Sequence, residues 1–217
     1  MQPLQVKYYN WSGSKEAYGK SPHLRKLTYF IACSVDGFIA DVHGDATAMY
    51  AYVDEEFLDF LKTDHPETMP THGRRALGLD DLENKRFDTV IQGRASYDVA
   101  LKEGVTSPYA HLRQYVASRT LGESPSPDVE IIADGLLDKV RELKAEDGGL
   151  DIYLCGGSRV AGELFDEIDE LVIKTYPIVY GTGMPMFGAA FDVARFSFGG
   201  VRSFGNGAVV RTYGRER

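Results

Sequence analysis

The chain has 217 residues, of which 43% are apolar and 26% are charged, and its formal net charge is -8. This length is enough for a sizeable core in one large α/β domain. The acidic balance weighs against a general nucleic-acid-binding role, which favours a basic surface. No stretch approaches the roughly 20 apolar residues of a membrane helix, and the polar N-terminus lacks the apolar region of a secretory signal, so we expect a cytoplasmic protein without a membrane partner.

The N-terminal residues 1–25 differ in character from the rest. They carry aromatic side chains among Gly, Ser and Lys and show no clear period. We interpret them as an irregular arm that packs on the body or on a partner subunit, or else as a poorly ordered terminus. Residues 26–217 follow as one domain, since neither an internal repeat nor a linker divides them.

Hydrophobic patterning predicts strands and helices that alternate through most of the domain. Six strands are predicted at 27–33, 89–92, 114–117, 129–133, 151–155 and 170–176. Four helices are predicted at 54–62, 95–101, 137–144 and 160–168, the third of them capped by Asp134 and stopped at Gly148-Gly149. Strands at 193–198 and 208–213, with a Gly-rich connection and an Asn206-Gly207 turn, form a terminal antiparallel hairpin. The fold class is therefore α/β, with about eight strands in a single mixed, mostly parallel sheet flanked by helices.

One long segment does not fit the predicted alternation of strands and helices. Thr63–Arg86 is too long for a plain connection, so it either covers or shapes a substrate pocket, or is a surface excursion or dimer contact.

Cys33 and Cys155 each end an apolar run. We expect buried free thiols, with a disulfide or redox pair as the alternative. The sequence has no Cys/His cluster with zinc spacing, so we expect no metal site.

Three predicted strands are followed by residues that suit a phosphate. These residues are Gly93-Arg94, Ser118-Arg119-Thr120 and Gly156-Gly157-Ser158-Arg159. Glycine lets backbone N–H groups approach a phosphate at a helix start, although tight turns also use glycine for steric reasons alone. Arginine binds phosphate bidentately and keeps its charge. Because ligands of open α/β sheets bind at the carboxyl ends of strands, the three sites together predict one anionic ligand. No GxGxxG follows the first strand, so a Rossmann dehydrogenase is not expected.

Four motifs, taken in chain order, carry a resemblance to a known superfamily. They are Ser34-x-Asp36-Gly37-x-Ile39-Ala40, Gly93-Arg94-x-x-Tyr97, Gly156-Gly157-Ser158 and Pro177-x-x-x-Gly181-x-Gly183-x-Pro185-x-Phe187. From about Leu27 to Tyr213 the chain resembles the dihydrofolate-reductase-like superfamily. More closely, it is similar to stand-alone proteins akin to the reductase domain of the bacterial riboflavin-biosynthesis deaminase–reductase. The HxE and PCxxC signature of the zinc deaminase domain does not occur in this sequence.

The resemblance implies NADPH as cofactor and gives each matched site a role. Gly93, Arg94, Ser118, Arg119 and Thr120 would hold the adenosine half and its 2′-phosphate. The pyrophosphate would lie on Gly156, Gly157, Ser158 and Arg159. Ala32, Ile39 and Ala40 would line the nicotinamide. Related proteins of this kind often pair, so we expect a homodimer.

The proton donor is less well marked than the cofactor site. Dihydrofolate reductases use an acidic residue at the start of the first helix, and Asp54 lies nearest that place, with Glu55 and Glu56 beside it. A buried carboxyl there would act as an acid through a raised pKa. The alternative is that the acidic residues at this helix start stabilise the helix dipole. Asp36 is a second candidate, with a turn residue as the alternative. The Trp and Pro pattern of true dihydrofolate reductases is missing before this helix, which argues against folate as substrate.

These observations predict an NADPH-dependent reductase that acts on a small heterocyclic or carbonyl/imine substrate. One alternative is a pyrimidine reductase of riboflavin biosynthesis, which needs a cation for its substrate's phosphate, and Arg74 or Arg75 are the candidates. The other is a nucleotide-binding module of the same fold without turnover.

Overall fold

The computed structural model describes residues 24–189 and 192–217. Most of the predicted arm therefore lies outside the described residues. Arg25, the last residue of that arm, is buried and forms ion pairs with Asp88 and, at 2.5 Å, with Glu146. Arg25 thus belongs with the domain.

An eight-stranded sheet forms the centre of the molecule. Its strands, in chain order, are β1 (Leu27–Ser34), β3 (Phe87–Gly93), β4 (Arg113–Ala117), β5 (Val129–Ile132), β6 (Asp151–Gly156), β7 (Glu170–Tyr176), β9 (Phe196–Ser203) and β10 (Val209–Arg215). Two short strands, β2 (Phe38–Ala40) and β8 (Met184–Pro185), pair antiparallel beside it. The spatial order is β5-β4-β3-β6-β1-β7-β10-β9. The first six of these strands run parallel, and β10 and β9 close the sheet as an antiparallel hairpin. The predicted fold class is confirmed.

Helices cover both faces of the sheet because its strands are apolar on both sides. The helices are α1 (Glu55–Asp64), α2 (Thr71–Ala76), α3 (Arg94–Lys102), α4 (Leu136–Ala145) and α5 (Ser158–Glu163). One core cluster joins alternate strand residues such as Tyr29 and Ile91 to Val140 of α4 and Ala161 of α5. A second cluster on the opposite face is richer in aromatic rings and buries Phe57 of α1.

Several local predictions are wrong in detail. Gly135, not Asp134, is the N-cap of α4, and its φ of 69° is a conformation that glycine adopts without strain. The helix predicted over 160–168 is split into α5 and a 3₁₀ turn, Phe165–Glu167. The seventh strand of the main sheet begins at Phe196 rather than at Val193 and runs through the glycines that were assigned to the connection.

The Thr63–Arg86 segment is folded on itself. It contains a 3₁₀ turn, Pro66–Thr68, and the helix α2. Buried Glu67 accepts hydrogen bonds from the backbone N–H groups of Arg86 (2.5 Å) and Phe87 (2.9 Å). The guanidinium of Arg74 is buried as well and donates to the carbonyl of Leu82 at 2.6 Å. This corrects the prediction that Arg74 is available for a substrate phosphate, because its donors are used inside the segment.

Both cysteines are free thiols, Cys33 buried and Cys155 partly buried. Within the described ranges, no helix is both long and apolar enough to cross a bilayer.

Candidate functional site

The three predicted phosphate-binding sites meet at one edge of the sheet. β3 lies between β4 and β6, with Gly93 in register with Ala117 and Gln92 in register with Gly156. The turns that follow these three strands are therefore neighbours. We call this region, defined by Gly93-Arg94, Ser118-Arg119-Thr120 and Gly156 to Arg159, the glycine edge.

Close packing at the glycine edge explains Gly93, and Gly157 lies within ordinary contact distance of the Ile39 segment. A Cβ atom on Gly93 would lie 2.9 Å from a methyl group of Val160 and 3.5 Å from the backbone nitrogen of Gly157. A Cβ on Gly157 would lie 3.7 Å from the Ser96 hydroxyl and 3.9 Å from the Ile39 side chain. The segment predicted to line the nicotinamide thus adjoins the turn predicted to hold the pyrophosphate.

The two helices that begin at the glycine edge have first turns without acidic residues. α3 begins after Gly93 and α5 after Gly157, and neither has a side-chain cap or an acidic residue in its first turn. α1, by contrast, is capped by Asp54 and has two acidic residues in its first turn. The first turns of α3 and α5 therefore hold backbone N–H groups without a side-chain cap and contain no carboxylate that would repel an anion.

The arginines of the glycine edge are not equivalent. Arg94 pairs through Nε with Asp98 one turn further along α3, at 2.5 Å. Arg119 and Arg159 are exposed, and neither forms an ion pair with any residue of the described ranges. The hydroxyl of Ser118 accepts hydrogen bonds from the N–H groups of Thr120 (3.3 Å) and Leu121 (3.0 Å), so it shapes the turn that carries Arg119.

An unpartnered polar atom marks the same place. Gln92, the residue before Gly93, is 1% exposed, and its amide nitrogen has no hydrogen-bond partner among the described residues. A buried donor without a partner costs on the order of 1–3 kcal/mol, which a bound ligand would relieve. Together with the open helix starts and free arginines, this donor makes the edge fit a dinucleotide with several phosphates.

Asp36 ties two distant loops together. Its carboxylate accepts hydrogen bonds from the Ser34 hydroxyl (2.5 Å) and from the N–H groups of Tyr180 (3.2 Å) and Gly181 (2.7 Å). The Ser34 contact is the main cause that holds the pKa of Asp36 below its ordinary value. Asp36 is therefore ionised at neutral pH and holds a turn, the alternative that we gave for it. This clamp and the pairing of β2 with β8 fix the segment that carries Ile39 and Ala40.

Asp54 lies at the start of α1. It is exposed, and its carboxylate accepts a hydrogen bond from the N–H of Phe57 at 3.0 Å. This is the geometry of a helix cap. The catalytic role of Asp54 stays a prediction beside this structural role.

On the face of the sheet that packs against α1, aromatic side chains surround a lysine that we did not single out. The Nζ of Lys174 lies 4.3 Å from the centre of the Phe30 ring, and Phe30 packs on Tyr153. Tyr153 in turn packs on Tyr109, whose hydroxyl lies 3.6 Å from the thiol of Cys155. We call these five residues the aromatic face. Ala32 packs on the same cluster and is in register with Lys174.

The sequence did contain a signal for this lysine. Side chains of a strand alternate between faces, so Lys174 shares a face with Val172 and Tyr176, which are both buried. A lysine at an inward position of a central strand is unusual.

The comparisons with known proteins agree with this architecture. The model of the family described as the RibD C-terminal domain matches residues 25–210. The fold is that of the dihydrofolate-reductase-like proteins, and within them the chain belongs to the RibD C-terminal domain family. The uncharacterized protein YwjB of Bacillus subtilis is 26% identical over 186 residues, which cover 83% of this chain and 93% of YwjB.

Three solved structures are similar over most of this chain. A putative riboflavin biosynthesis protein from Shewanella sp. PV-4 has 26% identity and a TM-score of 0.66, with 88% of this chain and 99% of that one covered. The Thermotoga maritima diaminohydroxyphosphoribosylaminopyrimidine deaminase/5-amino-6-(5-phosphoribosylamino)uracil reductase has 17% identity and a TM-score of 0.59, with 88% of this chain and 57% of that one covered. Dihydrofolate reductase from Enterococcus faecalis, complexed with NADP(H), has 15% identity and a TM-score of 0.55, with 88% and 97% covered. The last two show the shared fold alone.

Proposed function

We propose that the protein is a reductase that uses NADPH to reduce a small heterocyclic or carbonyl/imine substrate. The observation that carries this proposal is the glycine edge, where three adjacent strand ends bring glycine turns, open helix starts and free arginines to one place. Family membership supports a reductase. The dihydrofolate reductase from Enterococcus faecalis, which has this fold, was solved in complex with NADP(H), and this supports the choice of cofactor.

Different residues of the chain are suited to different parts of the cofactor. The N–H groups at the start of α5 suit the pyrophosphate, since they carry partial positive charge and meet no acidic neighbour. Arg119 suits the 2′-phosphate that distinguishes NADPH from NADH. Ala32 and Ile39 provide apolar contact for the nicotinamide and exclude water from it. When bound, NADPH supplies the hydride, and the protein supplies position.

For the substrate, a pyrimidine is the first candidate. The similar Thermotoga maritima protein is a deaminase and 5-amino-6-(5-phosphoribosylamino)uracil reductase, and the similar Shewanella protein is a putative riboflavin biosynthesis protein. Arg75 remains as a candidate for a substrate phosphate, being exposed and 3.7 Å from Asp80. Asp54 is the proposed acid by resemblance. We also propose that the protein acts in the cytoplasm as a homodimer.

A cofactor titration tests the proposal. Quenching of protein fluorescence should report NADPH binding at micromolar concentrations, with NADH binding more weakly. If neither NADPH nor NADP⁺ binds in this range, the proposal is wrong. If NADPH binds but 5-amino-6-(5-phosphoribosylamino)uracil and simple imines leave its absorbance unchanged, a nucleotide-binding module without turnover becomes the better description.

A further inference from the structure

The positively charged side chain of Lys174 has no negatively charged partner among the described residues. Its ammonium lies over the Phe30 ring, and no carboxylate of the described ranges lies near enough to act on it. Burial raises the pKa of Cys33, Tyr109 and Tyr153, so these groups are neutral near pH 7 and offer no counter-charge. The imidazole of His65, which packs on Phe30 at 4.8 Å, is also neutral because burial lowers its pKa to about 3.

A second lysine, Lys144, is buried and has the ion pairs expected of a structural lysine. Lys144 on α4 is 8% exposed, and its Nζ lies 2.8 Å from Asp169 and 3.5 Å from Glu167. Buried charges are normally paired in this way. Lys174 lacks such a pair among the described residues, and only a cation–π contact offsets its loss of hydration. Burial lowers its pKa to about 8, so the side chain still carries its charge at neutral pH.

The position of Lys174 relates it to the proposed reaction. It is in register with Ala32, which we assign to the nicotinamide, so both side chains lie on the same face of the sheet. Cys155, whose thiol is near enough to affect the ammonium, directly precedes Gly156 of the glycine edge. The cation therefore lies beside the place where the nicotinamide ring would end, over the buried ring of Phe30, and its own side chain is partly exposed.

We propose that Lys174 binds the substrate, as the cation that holds a carbonyl or anionic oxygen of the heterocycle beside the nicotinamide. The inference rests on the proposed function and adds to it a substrate class, one that presents such an oxygen, and a residue that selects for that class. An oxygen of the substrate completes the missing pair. Lys174 acts here by binding and orienting, since no bond to it forms or breaks.

The first test needs no cofactor and no activity. The protein is treated with pyridoxal, a planar aldehyde, and cyanoborohydride between pH 6 and 10, and labelled lysines are mapped by mass spectrometry. Aldehydes react with the neutral amine, so at pH 8 we expect labelling of Lys174 to exceed that of exposed Lys102 by about fivefold or more, with a midpoint near 8. Labelling equal to that of Lys102, or none while the protein stays folded, overturns the inference.

The second test compares two variants of the same residue. Lys174→Met removes the charge and keeps most of the length, whereas Lys174→Arg keeps the charge. With NADP⁺ bound, Lys174→Met should weaken binding of 5-amino-6-(5-phosphoribosylamino)uracil by roughly 30-fold in calorimetry, and Lys174→Arg by about fivefold or less. NADPH affinity should stay within about twofold in both variants.

The outcomes separate this inference from the proposed function. A wild-type protein that fails to bind NADPH overturns the proposed function, while the pyridoxal labelling still decides whether Lys174 faces open space. NADPH binding with equal pyrimidine affinities in wild type and Lys174→Met overturns the role of Lys174 alone. NADPH binding without any pyrimidine binding by the wild type also counts against this inference.

Discussion

The glycine edge and the aromatic face belong to the same sheet but are built in opposite ways. The glycine edge presents backbone N–H groups and exposed arginines, and each part of it lies within a few residues along the chain. The aromatic face presents side chains from β1, β6 and β7 around one desolvated lysine, and these residues are far apart in sequence. A site for phosphates is encoded in short motifs because it needs close approach of the backbone. A site for a small substrate is formed by side chains that the pairing of neighbouring strands brings together, so no short sequence motif marks it.

The largest expected effect comes from the acid proposed at the start of α1. Asp54→Asn should lower kcat by roughly 100-fold if Asp54 delivers the proton, because general acids contribute about 10²–10⁴. Stability should change little, since Asn caps a helix as well as Asp does. Asp59→Asn on the exposed side of α1 is the control. Unchanged steady-state turnover in Asp54→Asn would leave Asp54 a helix cap only.

At the glycine edge, removing the free arginine should affect the cofactor selectively. Arg119→Ala is expected to weaken NADPH binding by roughly 10- to 100-fold, the value of a charge-assisted contact with phosphate, and to leave NADH binding unchanged. Arg75→Ala removes an exposed arginine elsewhere and should change neither affinity. Equal losses for both nucleotides in fluorescence titrations would place the 2′-phosphate away from Arg119.

The aromatic face should respond to acid, because His65 is held neutral there. Its pKa is about 3 in the folded protein and about 6.5 in an unfolded chain, so the unfolded state binds more protons between these values and stability falls as the pH is lowered. From pH 7 to pH 5 this residue should cost about 2 kcal/mol of unfolding free energy. Urea titrations of His65→Leu should lose that part of the pH dependence, whereas exposed His43→Asn should keep it. If both variants follow the wild type, His65 is not the acid-sensitive group.

A smaller effect tests whether packing, rather than charge, shapes the glycine edge. Gly93→Ala places a Cβ 2.9 Å from the methyl group of Val160, which should cost about 1–2 kcal/mol in unfolding free energy. Val160→Ala removes the overlapping methyl, so the double variant should be more stable than the sum of the two single changes predicts. Additive free energies in this double-mutant cycle would show that the strand ends adjust without strain.

The difference between the two regions also explains which structural features could be predicted from the sequence and which could not. Strand periodicity and the Asn206-Gly207 turn predicted the sheet and its hairpin, and the glycine motifs predicted which strand ends meet. The Thr63–Arg86 segment was not predictable, because its fold depends on Glu67 and Arg74 satisfying backbone groups up to 20 residues away. Lys174 was missed because its meaning depends on the Phe30 ring of the neighbouring strand, not on its own motif.

The place of β1 in the sheet has a consequence for how the protein is made. β1 is the first strand of the sheet to leave the ribosome, yet its two neighbours, β6 and β7, begin only at Asp151 and Glu170. Until those residues are synthesised, the apolar strand Leu27–Ser34 has both edges unpaired. Pairing across such a distance is slow, so a stalled or truncated chain that ends before Tyr176 exposes a long apolar strand to other chains. We expect such fragments to depend on chaperones, whereas the full chain buries β1 at its centre.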